Sequence, residues 1–249
     1  MTNVEIIKKK LVEESVEIIV CASDKYYIGT TESLHNPFDY QKRDMERPIQ
    51  RPIFSIPPRL ANIMINLVGA KGGDSLLDPF CGIGTILQEA ALRKIKINGI
   101  DKDEECIKSA KTNLGWLADQ YGINIDLEKI RHGDATRLSE YFEEDSIDAI
   151  ATEPYLGPPL KGNQSHEDVE KIFEEIRPLY EKALKEFYKV LKGGKRASIV
   201  SPCIRMRENK VIRFNFKEIA EASGFKIINS IIDAEKRHRT QREIFVIEK

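Results

Sequence analysis

The 249-residue sequence has no apolar run near the ~20 residues that a membrane-spanning helix requires. Its opening stretch, MTNVEIIKKKLVEES, carries charge where a signal peptide would need an apolar centre. A cytoplasmic protein, with no membrane partner, is the resulting expectation. Cysteine is scarce: Cys21, Cys81, Cys106 and Cys203 are widely spaced and form no C-x-x-C pair. That pattern excludes a disulfide framework and a zinc site and leaves reduced thiols. His35, His132, His166 and His238 are equally scattered, so no metal site is expected. An excess of one charge is missing too. Lys and Arg number 39 against 40 Asp and Glu, a net charge of -1. Such balance argues against a protein wrapped wholesale around nucleic acid, but leaves room for a local basic patch. No internal repeat or low-complexity tract is visible.

What is present is alternation. Residues 3–14 have helical spacing, and VEIIVCAS and KYYIGTT read as two strands joined by a tight turn at Ser23-Asp24-Lys25. Together they form a small N-terminal appendage, residues 1–35. From Asn36 to Pro58 the texture becomes polar and proline-punctuated, which predicts an extended connector, with no regular helix after Arg47. Residues 59–249 then alternate between helical and strand patterns. RLANIMINLVGA, GTILQEAALRK and EECIKSAKTNLGWLADQYG read as helices, as does a long segment from about Asp168 to Lys192 stopped by Gly193-Gly194. DSLLDPF, KINGIDKD, SIDAIATEP and KRASIVSP read as strands, and KIINSIID with REIFVIEK as a closing pair. Strands alternating with helices imply an α/β fold with a doubly wound, mostly parallel sheet.

In such sheets ligands sit beyond the carboxyl ends of the strands, at the point where strand order reverses. LLDPFCGIGTILQEA is a strand-turn-helix unit of that kind, ending its strand at Asp78 and shaping its turn with Gly82 and Gly84. A phosphate loop is excluded because no G-K-[ST] follows. The dinucleotide fingerprint fails because Leu87 stands where the third glycine belongs. A D-x-x-x-G-x-G turn suits S-adenosylmethionine instead, with Asp78 facing the cofactor's ammonium group. GID ends the next strand at Asp101, suited to two ribose hydroxyls, and HGDA places Asp134 at the third, near the adenine amine.

These runs, with the connector DYQKRDMERPIQRPIFSIPP and the rim TEPYLG, resemble the RNA amino-methyltransferase family typified by tRNA guanine-N2 methyltransferases. The resemblance extends from about Val16 to the C-terminus. It implies a seven-stranded Rossmann-like methyltransferase sheet with an antiparallel C-terminal strand, and an S-adenosylmethionine-dependent enzyme acting on an exocyclic amine of RNA. It places Ile56, Pro57 and Phe80 beside the cofactor. By register Thr152 takes the acceptor position, followed by Glu153, Pro154 and Tyr155, the last a ring that stacks on a base taken out of its helix. The family pattern reads Asp, Asn or Ser, then Pro-Pro, then Tyr or Phe, so Thr152 and Glu153 depart from it.

Two implications concern partners. The larger tRNA enzymes carry a THUMP domain, which the short appendage is too small to be. Lys42, Arg43, Arg205, Arg207, Arg237 and Arg239 are therefore candidates for phosphate contact, or a separate RNA-binding or small zinc-binding activator subunit supplies the grip. The alternatives are an amino-methyltransferase for DNA or a protein glutamine, and a non-catalytic scaffold that keeps the cofactor fold.

Overall fold

The computed structural model describes residues 3–34, 36–51, 56–160, 164–206, 210–233 and 240–249. The chain divides into two compact units, Met1–Arg47 and Pro48–Lys249.

In the first unit the expected helix over residues 3–14 is two short helices, α1 (Asn3–Lys8) and α2 (Leu11–Glu14). Lys10 adopts a left-handed conformation, φ 51°, which ends the helical ladder, and its N–H turns back to the carbonyl of Ile7 at 2.9 Å. Strands β1 (Ile18–Ala22) and β2 (Tyr26–Thr30) form the expected antiparallel hairpin, in register from Ile18↔Thr30 to Ala22↔Tyr26. The first part of the connector is helical, not extended: α3 spans Pro37–Met45. Asn36 caps it by accepting from the Phe38 N–H at 3.0 Å, and Pro37 sits in the first turn, where its missing N–H costs nothing. A proline that reads as a helix breaker is here a helix starter.

The second unit runs α4 (Pro58–Leu67), β3 (Ser75–Asp78), α5 (Thr85–Leu92), β4 (Lys96–Asp101), α6 (Glu104–Tyr121), β5 (Ile130–His132), β6 (Ile147–Thr152), α7 (His166–Val190), β7 (Leu191–Arg205), β8 (Val211–Arg213), α8 (Phe216–Ala222), β9 (Lys226–Asp233) and β10 (Thr240–Glu248). The sheet order is β5-β4-β3-β6-β7-β10-β9, with β8 paired to the far part of β7. Pairing is parallel from β5 through β7, and β10 runs antiparallel to both of its neighbours. This is the doubly wound, mostly parallel sheet that the alternation implies, with the antiparallel C-terminal strand that the resemblance implies, extended by the short β8.

Helices on both faces explain the apolar strands. Leu76 and Leu77 of β3 point to opposite faces and are both fully buried, in separate core clusters. On one side α7 begins at a reciprocal Ser165–Asp168 capping box and buries Val169, Phe173, Ile176, Tyr180, Ala183, Leu184 and Phe187 along one stripe. It continues through Pro178 but stops at Val190, before the glycines. Leu191 is fully buried and extended, pairing with Ile147, so entry into the sheet ends the helix. Gly194, at φ 71°, lies within β7, and its N–H donates to the carbonyl of Lys249 at 2.9 Å. No helix among the described residues is long and apolar enough to cross a membrane.

Where α5 crosses β4 the layers meet closely. A Cβ at Gly99 would lie 2.6 Å from Leu87 Cδ1. Gly99→Ala is expected to destabilise the protein by about 1–3 kcal/mol through overpacking, read as a lower denaturation midpoint at unchanged slope.

Candidate functional site

The chain proceeds from β3 to β4 and β5 on one side, then returns to β6 and β7 on the other. The reversal therefore falls between β3 and β6, whose last residues are Asp78 and Thr152. Asp78 is 2% exposed and Thr152 is 0% exposed. The Thr152 hydroxyl donates to Asp78 Oδ1 at 2.7 Å, and the Phe80 N–H donates to the same oxygen at 3.2 Å. Burial pushes the Asp78 pKa up to about 7, with smaller pushes from Asp101 and Glu153, against the two hydrogen bonds. Among the described residues no cation pairs with this carboxylate.

The turn after β3 is shaped by two glycines in the left-handed region, Gly82 at φ 51° and Gly84 at φ 87°. A Cβ at Gly84 would also lie 3.3 Å from Ala110 Cβ on α6. Asp101, at the end of β4, ties this turn to its own loop. It accepts from the Gly82 N–H at 2.8 Å and the Asp103 N–H at 2.9 Å, while its burial raises its pKa. Cys81 lies beneath the turn, where burial pushes its thiol well above the usual range, unlike an activated nucleophile.

Asp134 caps the 3-10 turn Ala135–Glu140, accepting from the N–H and hydroxyl of Thr136 at 2.9 and 2.8 Å. Its second oxygen stands 4.0 Å from Lys102 Nζ. A structural role for this acid thus coexists with its place after β5.

Beyond β6 the chain turns at Pro154, which is buried, and Tyr155, which is 53% exposed. The Tyr180 hydroxyl lies 3.3 Å from the Tyr155 carbonyl and 3.4 Å from that of Val200, anchoring the turn's backbone and leaving the Tyr155 ring in solvent. Glu153 is held by Arg242 of β10, Oε1 to Nε at 2.5 Å and Oε2 to a terminal guanidinium nitrogen at 3.5 Å. Burial raises the Glu153 pKa, opposed by Arg242 and assisted by Asp233.

A small open cleft is lined by Ile56, Asp78, Phe80, Cys81, Thr85, Ile86 and Glu153. The fold thus brings the connector, the glycine turn and the rim together. Pro57, which precedes α4, lies outside that lining, as do Gly82, Gly84, Asp101, Asp134, Thr152, Pro154 and Tyr155. Arg207, Arg237 and Arg239 fall outside the described residues. Arg43 stacks over the Tyr40 ring within the first unit.

Thr85, which opens α5 directly after the glycine turn, also lines the cleft. Sequence reasoning missed two residues, for which signal is scarce. Arg242 carried none, being 89 positions from its partner. Asn113 is a fully buried amide on α6 that accepts from the Ile49 N–H at 2.9 Å and donates to the carbonyls of Ile49 at 3.2 Å and Ile83 at 3.1 Å. It fastens the connector to the glycine turn, and a polar residue on an otherwise apolar helical face was its only trace.

The family model described as UPF0020, RMKL-like methyltransferase domain, matches residues 47–225. The chain is 36% identical over 191 residues to a tRNA (guanine(10)-N2)-dimethyltransferase of Pyrococcus abyssi, covering 77% of this chain and 49% of that protein. It is 40% identical over 133 residues to the protein of that name from Methanothermobacter thermautotrophicus, covering 52% and 36%. The chain thus spans about half, or less, of these relatives. Among solved structures, TrmN from Thermus thermophilus superposes with a TM-score of 0.56 at 22% identity, over 94% of this chain and 60% of that one, a likeness of fold.

The residues present fit S-adenosylmethionine, the cofactor of this fold: a buried carboxylate that meets no cation among the described residues, beside a glycine turn and an apolar wall, suits an amino-acid ammonium. Asp78 titrates near 7 when folded against about 4 in an unfolded chain, so it binds more protons folded than unfolded between those values. Its contribution to stability is therefore lost as pH rises through that window. The melting temperature of the free protein is expected to fall from pH 5 to 7 with a slope that Asp78→Asn reduces. S-adenosylmethionine binding, measured by calorimetry, is expected to tighten over the same window by at most about tenfold per unit, releasing protons.

Proposed function

The chain belongs to the UPF0020 family of RMKL-like methyltransferase domains, and on that premise we propose that it transfers a methyl group from S-adenosylmethionine to an exocyclic amine of RNA, namely guanine N2 in tRNA. The observation that carries the reading is the junction of β3 and β6. A buried carboxylate, Asp78, which pairs with no cation among the described residues, there adjoins a proline-fixed turn bearing a second acid, Glu153, and an exposed ring, Tyr155.

In this proposal Asp78 receives the cofactor's ammonium, Asp101 the ribose hydroxyls and Asp134 the adenine amine. Gly82 and Gly84 let the backbone approach closely, while Ile56, Pro57 and Phe80 supply apolar wall. When bound, the cofactor supplies a methyl group made electrophilic by its sulfonium. The protein's remaining task is orientation, because an exocyclic amine delocalised into its ring is a weak nucleophile.

The rim performs that task. Tyr155 stacks on a base taken out of its helix, and Pro154 fixes the ring's approach. Acceptors near the amine favour the transition state, in which positive charge builds on nitrogen. Thr152, with its hydroxyl committed to Asp78, serves the cofactor side, and Glu153 becomes the acceptor.

Labelled methyl transfer from S-adenosylmethionine to total tRNA, with nucleoside digestion and mass identification, is expected to yield N2-methylguanosine. Host extract is added in a parallel arm, so that a separate RNA-binding or small zinc-binding subunit is supplied. Tyr155→Ala is expected to lower kcat/KM roughly 5- to 150-fold, the equivalent of about 1–3 kcal/mol of stacking. Label on another nucleoside, or a Tyr155→Ala variant as active as the wild type, sinks the reading.

A further inference from the structure

Glu153 stands one residue beyond the position that the amino-methyltransferase pattern gives to its acceptor, and its partner comes from another part of the sheet. Arg242 sits on β10, in register with Pro202 of β7 and Asp233 of β9. From there its guanidinium reaches across β7 to the turn beyond β6. The two side chains are 26% and 16% exposed, so the pair is largely withdrawn from water. Its contacts are unequal: Oε1 accepts from Nε at 2.5 Å, whereas Oε2 accepts from Nη2 at 3.5 Å. The less engaged oxygen keeps acceptor capacity, and Glu153 lines the same cleft as Asp78 and Phe80.

We propose that Arg242 is a positioning residue, which holds the Glu153 carboxylate ionised at the cleft rim as the acceptor for the adjacent N1–H and N2–H donors of a guanine edge. This rests on the reading of the chain as a guanine-N2 methyltransferase. Among the described residues, the charged groups that act on Glu153 are Arg242 from β10 and Asp233 from β9, while Glu153 in turn raises Asp78 of β3 and the Tyr180 hydroxyl of α7. Arg242 is the one cation among them. Burial and the Asp233 carboxylate favour a protonated Glu153, and Arg242 opposes them.

The ionisation state decides specificity. An ionised carboxylate accepts from both N–H groups of guanine. Adenine and cytosine each place a ring acceptor beside their amine, which a carboxylate repels. A protonated Glu153 would lose that discrimination, since it could donate to such an acceptor.

The experiment compares wild type with Arg242→Gln, Arg242→Lys and Glu153→Gln, each checked for folding by circular dichroism and melting. The Glu153 side-chain carboxyl, followed by carbon-13 NMR and assigned through the Glu153→Gln spectrum, is expected to titrate about one to three pH units higher in Arg242→Gln than in wild type. Arg242→Lys is expected to lie between them. The acidic limb of the kcat/KM profile for tRNA methylation is expected to move with it, so that the loss in Arg242→Gln is largest near pH 6 and shrinks toward pH 9. A purely structural role would lower the rate alike at every pH.

An unmoved carboxyl titration overturns the proposal. So does a moved titration with an unmoved acidic limb, because the carboxylate would then not face the substrate. If the wild type methylates no guanine, the reading of the function fails, and the carboxyl titration alone decides whether Arg242 holds Glu153 ionised.

Discussion

A carboxylate closed off from water at the reversal of a parallel sheet must find partners or give up its charge. Asp78 finds a hydroxyl, from Thr152, and a backbone N–H, from Phe80, but no cation among the described residues. Much of the site follows from that arrangement. The bond joins the ends of β3 and β6, the two strands between which a doubly wound sheet opens its crevice. It fixes the start of the glycine turn on one side and the start of the proline rim on the other. It also leaves the acid poised near neutrality.

The same bond accounts for the two departures from the family's rim pattern. A threonine at the end of β6 has its hydroxyl turned toward Asp78 and fully buried, so it is withdrawn from the surface where a base would dock. The negative charge reappears one residue later, on Glu153, where burial would neutralise it without support. That support is Arg242, from the antiparallel strand added at the far side of β7. Threonine, glutamate and arginine thus form one set that links the end of β6 to β10 across β7, and each is intelligible only with the others in place. Asn113 plays a comparable part on the opposite wall, where one buried amide binds both the N–H and the carbonyl of Ile49 and also reaches Ile83.

Much of the second unit was legible because its patterns are local. Strands buried on both faces read as short apolar runs, amphipathic helices as a 3.6-residue stripe, and Gly82 and Gly84 as a turn that other residues would strain. Misreadings arose where two local rules compete. The proline-punctuated texture from Asn36 predicts an extended connector, yet Pro37, in the first turn and capped by Asn36, starts α3. Gly193-Gly194 was read as the end of α7, yet the pairing of Leu191 with Ile147 draws the chain into the sheet first. At Lys10 a left-handed residue divides a stripe that periodicity alone would run through.

The sequence by itself determined the alternation of strands and helices, the acids at successive strand ends, the glycine turn and the proline-fixed rim. Each depends on neighbours within a few positions, through dihedral limits, side-chain periodicity and the loss of a donor at proline. The tertiary structure alone decided which partners those residues take: Thr152 for Asp78 across 74 positions and Arg242 for Glu153 across 89. Those separations are set by sheet order, in which β10 inserts between β7 and β9. A contact made by strand order leaves no periodic trace in the chain, because its strength comes from burial and charge at a place that exists only once the sheet has closed.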